Sequence, residues 1–238
     1  MLLKIALNGA RPKSENSSIP QSIEEIIEDV QSIYRVGYHV FHIHCYDKHG
    51  NESIEPEDVS ALVSSIKRIS PQIQIGISTG DWIEPDLDKR IRCIEGWNVA
   101  PDFVSVNMIE HDALTISKIL MKKGVLIEAG LSEEKAAEIF VKSELDKGCI
   151  RILVEPEEED INGAMKTVTA IEHILNRKNN TLKRLLHGFN STSWELLKEA
   201  QNRGYDGRMG LEDTIYLENG KKVTSNLELI QAAASMNG

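Results

Sequence analysis

Short apolar runs and amphipathic stretches alternate along this chain without a break, and that alternation restricts the fold more than any other property of the sequence. Leu2–Asn8 reads as a strand and Gln21–Tyr34 as a helix, with Pro20 a suitable helix entry. The pairs repeat as His39–Cys45 with Pro56–Ile69, Ile73–Ser78 with Asp86–Trp97, and Phe103–Met108 with Ala113–Lys122. They continue as Gly124–Glu128 with Glu133–Asp146, Cys149–Glu155 with Asp160–Leu175, Arg184–Gly188 with Trp194–Asn202, and Gly207–Glu212 with Asn226–Ser235. Strands that alternate with helices in this way are parallel. A count of eight favours closure into a (β/α)8 TIM barrel, an α/β fold of roughly 250 residues. The 238 residues predict one such domain over 1–238, with no linker or low-complexity segment to divide it.

Strand side chains alternate between two faces, and in such a barrel the outward face packs on helices and must be apolar. Phe41, Ile43 and Cys45 therefore point out, which leaves Val40, His42 and His44 inside. The same parity puts Gln74, Gly76 and Ser78 in the lumen, then Phe103, Ser105 and Asn107, then Glu128, then Arg151 and Glu155, and finally Arg208, Gly210 and Glu212. Asn8 and His187 fit the pattern in the first and seventh strands, where parity is less decisive. Polar inward residues gather at strand C-terminal ends, where barrel active sites lie. Buried charge of this kind costs several kcal/mol unless it is paired or bound to metal.

His42 and His44, two apart on one strand, project their imidazoles to the same side. Glu212 ends strand eight, one strand removed from them in a closed barrel. Two histidines and a carboxylate form a recognised catalytic zinc set with an open position for substrate; iron(II) accepts the same donors. A histidine pair at this spacing can also be purely structural, and it is the inward parity and Glu212 that favour the metal. His39 reads as structural, and His49, His111 and His173 as solvated. His187 reads as a support or a substrate contact.

Composition narrows the partners. A net charge of −10 argues against nucleic acid, which needs a concentrated basic surface. The N-terminal apolar run is interrupted by Asn8 and Arg11, and no run approaches the roughly 20 residues of a membrane span. Cys45, Cys93 and Cys149 are odd in number with no CxxC pair, so neither a disulfide framework nor a thiolate zinc site is indicated, and a reducing cytoplasm is expected.

The chain resembles the β-keto acid cleavage enzymes over nearly its whole length. Asn8-Gly9-Ala10, Ser22 to Ile26, His42-Ile43-His44 with Asp47 to Gly50, and Ile77-Ser78-Thr79-Gly80 resemble successive stretches of that family. Gly207-Arg208-Met209-Gly210-Leu211-Glu212-Asp213, Asn219-Gly220 and Ser225 to Leu229 resemble its C-terminal signature. The resemblance implies a zinc-dependent exchange in which a β-keto acid and acetyl-CoA give acetoacetate and a new acyl-CoA. It implies that Arg208 and Asp213 activate the substrate, and that Ser78 and Ser105 hold its carboxylate or oxyanion. Thr79 and Asn107 are expected beside them, with Asn8 and His187 as further substrate contacts. Glu128 is implied as an acid that moves protons; its residue-level alternative is a buried partner for Arg151. A homo-oligomer is also expected.

Two departures bear on specificity. Arg11 stands where the family usually carries an acid that recognises an amino group, so an anionic or neutral substrate side chain is expected. The loops are short for the family, and loops carry CoA contacts. Two competing readings stay open: another metal-dependent lyase or aldolase that needs no CoA, and a barrel that binds metal and ligand without catalysis.

Overall fold

The structure, a computed structural model, describes residues 1–236; the last two residues of the expected 1–238 domain lie outside that range. Eight parallel strands close on themselves in sequence order: β1 Leu3–Ala6, β2 Val40–Ile43, β3 Gln74–Ser78, β4 Phe103–Asn107, β5 Leu126–Leu131, β6 Cys149–Val154, β7 Arg184–Leu186 and β8 Asp206–Met209. The seam pairs Leu3 with Gly207, Lys4 with Arg208 and Ile5 with Met209. Around the barrel run α1 Ile23–Tyr34, α2 Pro56–Ile69, α3 Leu87–Gly96, α4 Ala113–Lys123, α5 Glu134–Ser143, α6 Ile161–Arg177, α7 Ser193–Arg203 and α8 Asn226–Ser235.

Local sequence explains the helix starts. Ser22 and Glu25 form a reciprocal capping box at α1, each side chain taking the other's backbone N–H. Ser225 caps α8 through Glu228 N–H. Helix faces such as Ile26, Val30 and Ile33 pack on outward strand residues such as Ile5, Phe41, Ile43 and Ile75. The main core is thus a ring between sheet and helices, and the lumen is left for charge.

Several expected boundaries move, each for a local reason. Gly124 is not in β5: at φ +76° it is the left-handed cap that ends α4. α5 stops at Ser143 because Glu144 turns to φ +58°. β7 ends at Leu186, so His187 lies just beyond the ladder. β8 ends at Met209, and Glu212 sits in the following turn, closed by Asp213 N–H and Thr214 N–H on Gly210 O. Gly210 lets that turn press on β1: a Cβ there would lie 1.8 Å from Ala6 O. The three cysteines are buried and unpaired. No helix among the described residues is long and apolar enough to cross a membrane.

Candidate metal centre

The site is built on the first two strands and the seam. Asn8, fully buried past the end of β1, behaves as an extra rung of the β1–β2 ladder. Its Oδ1 accepts His44 N–H at 2.9 Å, and its Nδ2 donates to His44 O and Pro20 O at 3.0 Å. His44, beyond the end of β2, is thereby fixed as firmly as His42 within it. The two rings stand edge to face with centroids 5.1 Å apart.

Each ring is also held from behind. The Ser105 hydroxyl donates to Glu128 Oε2 at 3.3 Å, which leaves its lone pair to accept from His42 Nδ1, also at 3.3 Å. Glu52 Oε1 stands against His44 Nδ1. With both Nδ1 atoms engaged from behind, both Nε2 atoms face the same point. Burial, followed by the nearby His44, holds the His42 pKa well below the ordinary histidine value, so this ring stays neutral as a metal donor requires.

Glu212 meets them there. Its Oε2 lies 3.6 Å from His42 Nε2, and its Oε1 lies 3.7 Å from His44 Nε2. These gaps are too long for hydrogen bonds. They suit donors that share one ion, since tetrahedral bonds of about 2.1 Å put ligand atoms roughly 3.4 Å apart. One donor atom from each of the three residues falls within 4.8 Å of the others. Glu212 Oε2 is buried without a hydrogen-bond partner, a costly state for a carboxylate unless a cation supplies the missing interaction. The residues therefore fit a divalent metal. Gly9 makes room for the carboxylate: it sits at φ +56°, and a Cβ there would lie 2.4 Å from Glu212 Cγ.

The donors open onto a cavity of about 430 Å³. Of the residues expected from sequence, His42, His44, Glu212, Ser78, Ser105, Asn107 and Arg208 line it. Asn8, Thr79, Glu128, His187 and Asp213 are almost fully buried and are not part of its wall. Thr79 donates to Ser105 O at 3.3 Å, and His187 contacts Glu155 at 3.2 Å. Arg208 bridges the layers: Nη2 donates to Glu212 Oε1 at 3.0 Å and to Asp213 Oδ1 at 2.6 Å. Burial opposes the Arg208 charge, but Asp213 and Glu212 outweigh it and keep the guanidinium protonated. Burial raises the Asp213 pKa against the pull of Arg208.

A beta-keto acid cleavage enzyme profile matches residues 1–152 and 158–237. The chain belongs to the β-keto acid cleavage enzyme family. Over 97% of this chain it is 24% identical to 3-keto-5-aminohexanoate cleavage enzyme of Acetoanaerobium sticklandii, covering 89% of that protein. Over 33% of the chain it is 26% identical to 3-oxoadipate:acetyl-CoA acetyltransferase of Cupriavidus necator, covering 28% of that protein. Among solved structures, ObcA in ternary complex with a C4-CoA adduct and oxalate superposes with a TM-score of 0.72 at 15% identity, over 92% of this chain. The chain spans 63% of that ObcA chain, and the likeness is one of fold. As a member of this family the protein is an enzyme that cleaves carbon–carbon bonds.

Three functional side chains of this family member escaped the sequence reading of the site. Glu155, on the cavity wall after β6, has its pKa raised by burial, with Glu212 and Glu128 reinforcing the rise against Arg208 and Lys4. Its inward parity was visible and was the signal that could have found it. Glu52 reaches His44 from a loop, and Trp82 stacks on His44 with centroids 6.4 Å apart while donating to Glu52 at 3.2 Å. Neither contact follows from strand parity. The expectation that a histidine ligand needs an acceptor behind it was the only available signal for Glu52.

Proposed function

We propose that this protein is a zinc-dependent β-keto acid cleavage enzyme that converts a β-keto acid and acetyl-CoA into acetoacetate and a new acyl-CoA. The observation that carries this reading is the convergence of the two histidine rings and the unpartnered Glu212 Oε2 on one point of a cavity. Zinc bound there would supply a Lewis acid that polarises the substrate ketone and stabilises the enolate.

The chain's own groups would do the rest. Ser78, Ser105 and Asn107 present hydroxyl and amide groups on one wall, suited to a substrate carboxylate or oxyanion. Arg208, held protonated where β8 lines the cavity, offsets the anionic charge that develops there. Asp213, behind Arg208, is assigned as the base to which the α proton passes by way of that guanidinium: burial raises its proton affinity and leaves Oδ2 without a partner. Glu155, on the cavity wall itself with its pKa raised by burial, is a carboxyl fit to exchange a proton with substrate directly. Asn8, Thr79, Glu128 and His187 act through the wall residues they hold. The enolate carbon then attacks the acetyl-CoA carbonyl and expels the CoA thiolate; the thiolate attacks the original keto carbon, the bond from that carbon to the α carbon breaks, and the departing enolate takes back a proton to leave as acetoacetate beside the new acyl-CoA.

The names of the relatives, which pair a keto acid with cleavage and acetyl-CoA with acetyl transfer, support the same reading. The test is acetoacetate formation from a panel of 3-oxo acids with and without acetyl-CoA. Product that requires acetyl-CoA is expected, and cleavage that proceeds without it would assign a lyase instead. Asp213→Asn is expected to abolish turnover and leave the metal content of the purified protein unchanged.

A further inference from the structure

The residue after Gly9-Ala10 looks placed for substrate, since Arg11 lines the cavity. Its guanidinium is nevertheless committed elsewhere. Nε donates to Glu212 O at 3.1 Å, and Nη2 reaches Asp213 O at 3.4 Å. The same Nη2 bonds Asn190 Oδ1, and Nη1 pairs with Glu15 at 2.6 Å. Asn190 closes the arrangement from the other side: its backbone N–H donates to Asp213 O at 2.7 Å. It does so at φ +48°, a left-handed conformation that asparagine tolerates better than most residues. Every guanidinium nitrogen is thus engaged, and Arg11 and Asn190 converge on the turn that carries Glu212 and Asp213.

We infer that Arg11 is a positioning residue for the metal-binding turn, and that the cavity accepts β-keto acids whose side chain carries no second carboxylate. The second half follows from the first. Among the described residues, Arg11 and Arg208 are the only lysine or arginine side chains lining the cavity, and Arg208 is held by Glu212 and Asp213. No uncommitted cation is left for a second substrate carboxylate. The remaining wall offers Trp82, Ile109 and Phe189, which suit an apolar chain, beside Glu155 and Glu157, which repel a second carboxylate.

The inference rests on the metal-dependent reading, and its first measurement needs no turnover. Zinc affinity of the full chain is measured by competition with a chromophoric chelator for wild type, Arg11→Met and Asn190→Gly. Asn190→Gly removes the Oδ1 acceptor and keeps the positive φ accessible. Loss of a group that orients a ligand weakens metal binding by about 10- to 100-fold, so Arg11→Met is expected near the lower figure and Asn190→Gly at about threefold. Unchanged affinity in both variants would overturn the inference; if Arg11→Met does not fold, Asn190→Gly decides alone.

The second measurement compares kcat/KM for 3-oxohexanoate and 3-oxoadipate. Wild type is expected to prefer the former, and Arg11→Met to keep that preference while lowering kcat on both. A wild type that prefers the dicarboxylate, and loses the preference in Arg11→Met, would make Arg11 a substrate receptor and sink the proposal. A wild type inactive on every 3-oxo acid would refute the proposed reaction and leave the zinc result to decide the role of Arg11.

Discussion

Glu128 and Glu212 both bring a carboxylate into the barrel lumen, and they end in opposite states. Glu128, deep on β5, is fully buried between Lys4 and Arg151. Lys4 bonds its Oε2, while Arg151 Nε stands 3.1 Å from Oε1 as an ion pair without hydrogen-bond alignment. Phe103 lies beneath both cations at 5.9 Å. Glu212, near the mouth, has one oxygen held by Arg208 and the other held by nothing in the protein. The floor has its charges matched internally. The rim has a deficit that an external cation can fill. A lumen therefore turns into a metal site by omitting one partner beside two imidazoles.

The largest effect that would break this contrast is on the floor. Lys4→Met removes a principal partner of a fully buried carboxylate, and a loss of about 3–5 kcal/mol in urea unfolding is expected. A smaller loss, near that of a surface substitution, would mean that Arg151 alone satisfies Glu128.

At the rim the expectation reverses. Glu212→Gln should leave metal-free stability near wild type or above it, because an uncompensated charge is removed. Zinc at a hundredfold excess over its Kd should stabilise wild type by about 2.7 kcal/mol and Glu212→Gln by far less, read as a shift in Tm. Equal stabilisation of both proteins would place the ion elsewhere.

Ser105 joins the two regions, since its hydroxyl touches both Glu128 and His42. Ser105→Ala should free the His42 ring and weaken zinc binding by about tenfold, or roughly 1.4 kcal/mol, with little change in metal-free stability. Chelator competition separates this from a general loss of fold.

The smallest effect lies outside the lumen and serves as a control. Asp29, on α1, accepts from Asn226 at 2.6 Å, and burial pushes its pKa from 3.8 up to about 6. A raised folded pKa means that the protonated form favours folding. That contribution is complete below pH 3.8 and is lost as the pH rises through about 6. Asp29→Asn should therefore raise stability at pH 7 by about 1 kcal/mol, after allowance for screening of a half-buried group, and flatten the profile between pH 4 and 6. An unaltered profile would show that the carboxyl is not taken out of water.

The eight-unit barrel was legible because period-two and period-3.6 patterns are local properties of the chain. The inward set His42, His44, Ser105, Glu128 and Arg208 was legible for the same reason. What failed to read were contacts made by turns. Glu212 faces the lumen as strand parity expects, yet it does so from a turn that only Gly210, close against Ala6, permits. Lys4 lies in a four-residue strand too short for its parity to decide. Glu52 and Arg11 reach their partners across loops, where spacing along the chain carries no direction. His187 was expected at a strand end, and the early end of β7 leaves it packed against Glu155 behind the wall.

The β1–β8 seam has a consequence for the order of assembly. Glu212 N–H bonds Ala6 O, so the third donor arrives only when the first strand meets the last. During synthesis on the ribosome the two imidazoles emerge early and can offer an incoming ion only a loose, two-point hold. Full capture waits for the final staves of the barrel, which makes the bound cation a late reporter that the circle has closed.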